Sequence, residues 1–417
     1  MSGGLFSRAR GFDRRLWVLT AGWFVNALGF SMVFPFLMVY LKEKRHFDVA
    51  VVGLVYLAMG AARITGVLLA GFVVDRIGRR KIMVGAPALR AVIYLILAWA
   101  IHRWASLREI TTLLTVASFV GSFFQTAADT YVADLVGPEQ RSDAYAVLRV
   151  GLNLGWMTGP AAGAFLARTP YSLLFGVTAA TAMVLAALAW IFCHETLDVA
   201  ARRSRDGGAG PGFSPAVYLQ SPAFLAFCFM TLLLFLGSSQ LVSTLAAYAR
   251  SGVGIEKWQL GMLYTINGLV VVVLQLPVNA ALRRVRLRTR MGAGALVYAL
   301  GYGLLGRATC FGHMAGCIAI ISCAEMLVMP SSISIATRFA PAGAKGRFVG
   351  LFSMMRGLGF SVGPYIGCKL FAYFEPFGAT YAIWAILPWI TVAGAVGIFS
   401  MSHPAMAEAE GAERPGA

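Results

Sequence analysis

Residues 71–81 read GFVVDRIGRRK and stand between two long apolar runs, 48–75 and 80–101. One acid, Asp75, and the bases Arg76, Arg79, Arg80 and Lys81 crowd into this short connection. The flanks set the context for that charge. The chain has 417 residues, of which 59% are hydrophobic and 13% charged, and its mean hydropathy is +0.73. A soluble globular protein carries about 25% charged residues, so here lipid replaces water as the main solvent. Further apolar runs fall at 14–41, 108–134, 142–167 and 171–193, then at 221–249, 256–282, 289–308, 312–339, 345–372 and 376–401. At about 1.5 Å per residue each is long enough to cross roughly 30 Å of hydrocarbon. The expected fold is an all-α membrane protein. It has twelve transmembrane helices in two pseudo-symmetric six-helix bundles around a central cavity. The bundles cover 1–193 and 221–401, joined by a polar linker at 194–220 and followed by a tail at 402–417.

The net charge of +17 does not point to nucleic acid, because the bases sit in the connections between apolar runs rather than on one soluble face. Such placement is what topology selection produces. With both termini and the linker on one side, that side holds about twice as many Lys and Arg as the other, which makes it cytoplasmic. The cluster KEKRH at 42–46 runs against this rule locally. Arg8, Arg10, Arg14 and Arg15 precede the first run as in a signal peptide, but that run is too long for one and no small-residue cleavage site follows. It reads as a retained first helix. Compactness and short loops favour a prokaryotic inner membrane. The cysteines Cys193, Cys228, Cys310, Cys317, Cys323 and Cys368 form no C-x-x-C pair, so neither a disulfide framework nor a zinc site is expected. No metal site is expected from the scattered histidines either.

The two halves repeat. GWMTGPAAG at 155–163 and GFSVGPYIG at 359–367 both read G-x-x-x-G-P-x-x-G, with Gly155, Gly159, Pro160 and Gly163 as the first set. GLVYLAMG at 53–60 is echoed by GMLYTING at 261–268, at a nearly equal offset. Parallel repeats of this kind place a substrate site near the midplane between the halves.

The loop after the second helix closely resembles the G-x-x-x-D-R-x-G-R-R motif of the major facilitator superfamily. The Gly-Pro pattern in the fifth helix resembles that of its twelve-helix drug:proton antiporters. The resemblance implies a gate: Gly71 lets the second helix approach a neighbour, and Gly78 makes the tight turn. Asp75 is placed to cap a facing helix N-terminus or to pair with an arginine, and Arg79 reaches the acid Asp134. By the family's pattern Asp75 also meets an arginine of the eleventh helix, for which Arg356 is the candidate. Topology charge alone would account for the arginines, but not for Asp75 or Gly78. The second-half counterpart, 279–290, keeps the bases but has Arg283 where Asp75 would align. One departure matters. The family's antiporters carry an arginine four residues before a glycine in the fourth helix, and if Gly121 is that glycine the position here is Ala117.

Ionisable groups at membrane depth are costly and face cavities or partners. Glu325 and Asp129 are the candidate proton-coupling carboxylates. A carboxyl in a low-dielectric cavity holds its proton more tightly until a cation approaches. Alternatively, Glu325 is a permanent partner for an arginine, and Asp129 belongs with Asp134. Arg63 either contacts an anionic substrate or pairs with one of these acids. Arg90, Arg149 and Arg356 read as structural. Asn26, Gln125, Gln240 and Asn267 either line the cavity or form interhelical hydrogen bonds worth about 1 kcal/mol. The expected function is secondary active transport by alternating access, chiefly proton-coupled efflux of a small amphipathic or drug-like compound. The alternative is transport of an organic anion, whether metabolite, siderophore or lipid-like, through the intramembrane arginines. No G-x-x-x-x-G-K-[ST] sequence is present, so the proton gradient rather than ATP or a cofactor is the expected drive. No catalytic motif is present, so an enzyme is not expected. The expected partners are the bilayer and a small substrate, with the chain acting as a monomer.

Overall fold

The computed structural model describes residues 12–136, 141–166, 170–196, 221–241, 243–282, 284–340 and 345–407. Among these the fold is helical, with no β-strand. The long helices of the first half are α1 Arg14–Val39, α2 Val49–Ile77, α3 Arg79–His102, α4 Leu107–Leu135, α5 Arg141–Leu166 and α6 Tyr171–Phe192. Those of the second half are α7 Pro222–Ser238, α8 Lys257–Ala281, α9 Leu287–Leu305, α10 Phe311–Phe339, α11 Lys345–Phe374 and α12 Ile383–Ser400. They fall where the apolar runs predict them. Nine helical stretches among the described residues are long and apolar enough to cross a membrane. The regions of α5, α9 and α11 are not among them. All three are rich in glycine and each carries two arginines, which lowers their hydropathy.

Local chemistry sets the helix ends. Asp13 accepts the main-chain N–H of Arg15 at 2.8 Å to start α1. Ser106 and Glu109 close a capping box at α4, and Glu256 with Gln259 does the same at α8. Two helices widen into π-helical turns at their far ends, α1 at Tyr40–Lys44 and the continuation of α7 at Ala249–Val253. Such wide turns recur at functional sites.

By packing, the chain divides into two units, Met1–Tyr40 with Ala58–Gly212, and Leu41–Leu57 with Phe213–Ala417. The segment Leu41–Leu57, which the sequence places in the first bundle, packs with the second unit. Inside the first unit α1 packs on α5 and α6, and α3 on α4 and α6. Inside the second, α7 packs on α11 and α12, and α9 on α10 and α12. Each of these four pairings in the first unit has its counterpart six helices later, as the sequence repeat requires.

The Gly-Pro repeat explains the first of these pairings. A Cβ at Gly155 would stand 2.6 Å from the carbonyl oxygen of Phe24, and one at Gly159 would stand 2.8 Å from that of Leu28. Gly163 would press the carbonyl of Met32 in the same way. In the second unit a Cβ at Gly363 would lie 2.7 Å from the carbonyl oxygen of Leu236, and Gly359 and Gly367 sit against Phe235 and Gln240. Ser31 Oγ donates to the Gly155 carbonyl at 3.0 Å, and Gln240 Nε2 donates to the Gly363 carbonyl at 2.9 Å. Both seams therefore bring two helix backbones together, with small residues admitting the contact.

Candidate functional site

The charged loop of the opening motif forms a built network in the first unit. Gly78 takes φ +110°, a conformation that residues with a side chain rarely adopt, and so turns α2 sharply into α3. A Cβ there would also collide with the carboxylate of Glu195. That carboxylate accepts the main-chain N–H groups of Arg79 at 3.0 Å and Arg80 at 3.2 Å, at the N-terminus of α3. The first N–H groups of a helix have no partner within it and carry partial positive charge, so an acid is favoured at that spot. The Arg79 side chain is buried. Its Nε donates to Asp134 at 3.1 Å, and its Nη2 lies 3.2 Å from Asp75. Thr196 adds a hydroxyl donor to the same Asp134 oxygen at 2.9 Å. Arg80 donates to the Trp190 carbonyl at 2.9 Å and lies over its ring, 5.0 Å from the centroid.

The expected Arg79–Asp134 contact is thus present, and of the two roles open to Asp75 it takes the arginine pair. Helix capping falls to Glu195, which sequence reading misses because it follows α6 and looks like the start of the linker. At Gly71 no described heavy atom lies within 4 Å of a Cβ position. Arg356 is half-buried on α11 in the second unit. Arg283 lies outside the described residues.

At membrane depth the first unit holds three guanidinium groups, those of Arg63, Arg90 and, on α5, Arg149. Arg63 on α2 donates from Nη2 to Gln125 Oε1 at 2.9 Å. Arg90 on α3 is buried and donates to the side-chain carbonyl of Asn26 on α1. A Cβ at Gly121 would stand 2.9 Å from Arg90 Nη1, so this glycine makes room for the guanidinium. Asp129 is half-buried on α4, and its main-chain carbonyl accepts the Tyr145 hydroxyl of α5 at 2.7 Å.

In the second unit Asn267 on α8 donates to Ser322 Oγ at 2.8 Å and to Glu325 Oε2 at 3.2 Å, both on α10. Glu325 is half-buried. Gln240 is buried and spends its groups locally. It donates to the carbonyls of Leu236 at 2.8 Å and Gly363 at 2.9 Å and accepts from Thr244 at 2.7 Å. It belongs to the α7–α11 seam rather than to a cavity lining.

A second ionic cluster occupies the end of α1 away from Arg14. Lys42 Nζ lies 2.5 Å from Glu375, donates to Ser251 at 2.8 Å and sits over the Phe371 ring, 4.2 Å from its centroid. Arg250 Nε lies 2.6 Å from Glu43. All six residues belong to the second unit. Lys42 and Glu43 come from one π-turn, Arg250 and Ser251 from the other. Lys42 of the KEKRH run is thus ion-paired, which accounts for part of its departure from the loop-charge rule. Gly53 continues the contact, since a Cβ there would stand 2.8 Å from Cys368 Cβ.

A family model described as the Major Facilitator Superfamily matches residues 19–364. The chain belongs to that superfamily. It is therefore a multi-pass membrane transporter of small molecules, not an enzyme. Among curated relatives, a Na(+), Li(+), K(+)/H(+) antiporter of Planococcus maritimus is 24% identical over 400 residues, covering 90% of this chain and 93% of the relative. The multidrug resistance protein MdtH of Aeromonas salmonicida (strain A449) is 25% identical over 405 residues, covering 95% and 96%. Among solved structures, the D-xylose-proton symporter superposes with a TM-score of 0.77 at 12% identity, covering 94% of this chain and 98% of that one. The nucleoside transporter NupG gives 0.77 at 16%, covering 93% and 99%. At these identities the structures speak for the superfamily fold alone.

Proposed function

We propose that this superfamily member is a proton-coupled secondary transporter that works by alternating access and exports a small amphipathic or drug-like compound. The observation that carries the reading is Glu325, a carboxyl on an apolar helix whose oxygen takes a hydrogen bond from the neutral Asn267. The amide donor orients the carboxylate, and an acid at membrane depth binds or releases a proton as an approaching cargo changes its surroundings. The names of two relatives agree with this reading: one is called a cation/proton antiporter and the other a multidrug resistance protein. Asp129 is the second coupling candidate, closer to the Arg79 network. In this reading the Gly78–Arg79–Asp134–Asp75 network, with Glu195 beneath it, secures the side that carries the termini. The termini are cytoplasmic and the membrane is the inner membrane of a prokaryote. A second reading, transport of an organic anion, draws on the mid-depth arginines of the first unit.

The test uses purified protein in liposomes with an internal pH dye, under an imposed proton gradient, with candidate amphipathic compounds added outside. Cargo-triggered proton movement that disappears in Glu325→Gln is the expected result. Cargo movement without protons would remove the antiport reading.

A further inference from the structure

Of the three arginines at membrane depth in the first unit, Arg63 and Arg90 are held by neutral groups. Arg63 is met by Gln125, and Arg90 by Asn26. Among the described residues no carboxylate lies within ion-pair distance of either guanidinium. Both groups lie against α4, at Gly121 and Gln125, positions separated by about 6 Å along the helix axis and sharing one face.

At the buried Arg90 such an arrangement is costly unless something else completes it. Buried charges are ordinarily paired, and an unpaired guanidinium in an apolar setting loses far more hydration than an amide can replace. The hydrogen bonds point the same way. Arg90 is only 8% exposed, yet its Nε has no acceptor. Trp23, one turn before Asn26 on α1 and 5.9 Å from the Phe124 ring, is also buried with its indole N–H unsatisfied. Buried donors without acceptors are rare in folded proteins. Here one belongs to the Arg90 cation itself and the other stands one turn from its partner Asn26, and both can only donate.

We propose that Arg63 and Arg90, framed by Asn26, Gln125 and the gap at Gly121, form a binding site for an oxyanion, a carboxylate or phosphate borne by the transported amphiphile. The inference rests on the transporter reading and names the charge of the cargo's head group. Guanidinium pairs suit such groups because their forked donors match the oxygens two at a time. Gly121 leaves open the space that a side chain would take from the Arg90 fork.

The same chemistry is offered by a free amphiphilic anion and by an acidic lipid headgroup, so the test separates them. Protein in phosphatidylcholine nanodiscs is titrated with octyl phosphate and, in parallel, with octyltrimethylammonium, without any proton gradient. Octyl phosphate binds saturably, the ammonium compound does not compete, and Arg63→Gln weakens binding at least about tenfold, as loss of a charged hydrogen-bond partner implies. Arg63→Lys, which keeps the charge but not the fork, falls between. Arg63 is exposed, so its replacement leaves the unit packed, and an unchanged melting curve verifies this. Repeating the titration in phosphatidylglycerol nanodiscs assigns the source: loss of octyl phosphate binding there means that a lipid headgroup fills the site, and retention means a free compound does. Equal binding of both probes, or an unaltered titration in both Arg63 variants, overturns the proposal. Because no gradient is used, that result would leave proton exchange through Glu325 standing.

Discussion

Opposite charges at membrane depth are held by the same device in the two units. In the first unit Asn26 and Gln125 turn their carbonyl oxygens to Arg90 and Arg63. In the second, Asn267 turns its NH2 to Glu325. A side-chain amide has both faces, so it can hold either sign in place without adding a formal charge of its own. A carboxylate or lysine in the same position would add that charge to the site. The difference between the units is therefore in the sign they present, not in how they present it.

Replacing each amide by the counter-ion it avoids breaks the comparison most directly. Asn26→Asp sets a carboxylate against Arg90 in almost the same shape, and octyl phosphate binding falls tenfold or more in the equilibrium titration. Asn267→Lys sets an ammonium against Glu325, and the dye assay loses cargo-driven proton movement while the nanodisc titration keeps its affinity. If each variant damages both readouts equally, the units are not separable in the way their charges suggest. A smaller effect is expected at the loop. Gly78→Ala must carry a side chain at φ +110° and push Glu195 away from the start of α3. A loss of about 1–3 kcal/mol follows from the backbone alone, visible as a lower melting temperature in detergent. The smallest effect is at the π-turns. Glu43 and Arg250 are each about a quarter exposed, at 27% and 22%. A double-substitution cycle of Glu43→Gln with Arg250→Gln, followed by melting, should return a coupling of about 0.2–1 kcal/mol.

What the sequence made legible follows how far apart the interacting residues lie and how strong their motif is. Helix positions emerged from apolar runs because lipid demands them. Arg79 with Asp134 emerged because the loop motif ties one to the other. Gly155, Gly159 and Gly163 emerged from the repeat, although their close fit to α1 carbonyls needed coordinates. Glu195 did not emerge, since nothing in a carboxylate that follows a helix says which distant N–H groups it will meet. Arg90 read as structural because its setting is assembled from α1, α3 and α4 at once. The placement of Leu41–Leu57 in the second unit was hidden for a related reason: Lys42 finds Glu375 and Glu43 finds Arg250 only through tertiary packing. Gln240 read equally well as lining or seam, and only its saturated hydrogen bonds distinguish the two.

The glycine seams have a consequence for how such a protein can change over generations. In the first unit the contact is made against main-chain carbonyls of Phe24, Leu28 and Met32, with the small side chains of Ala27 and Ser31 beside them. Main-chain atoms are the same whatever residue supplies them. The side chains on the rest of α1 are thus free to drift under selection for a new cargo, while the helix itself stays clamped in place. A scaffold fastened by its backbone keeps its shape as its specificity is rewritten.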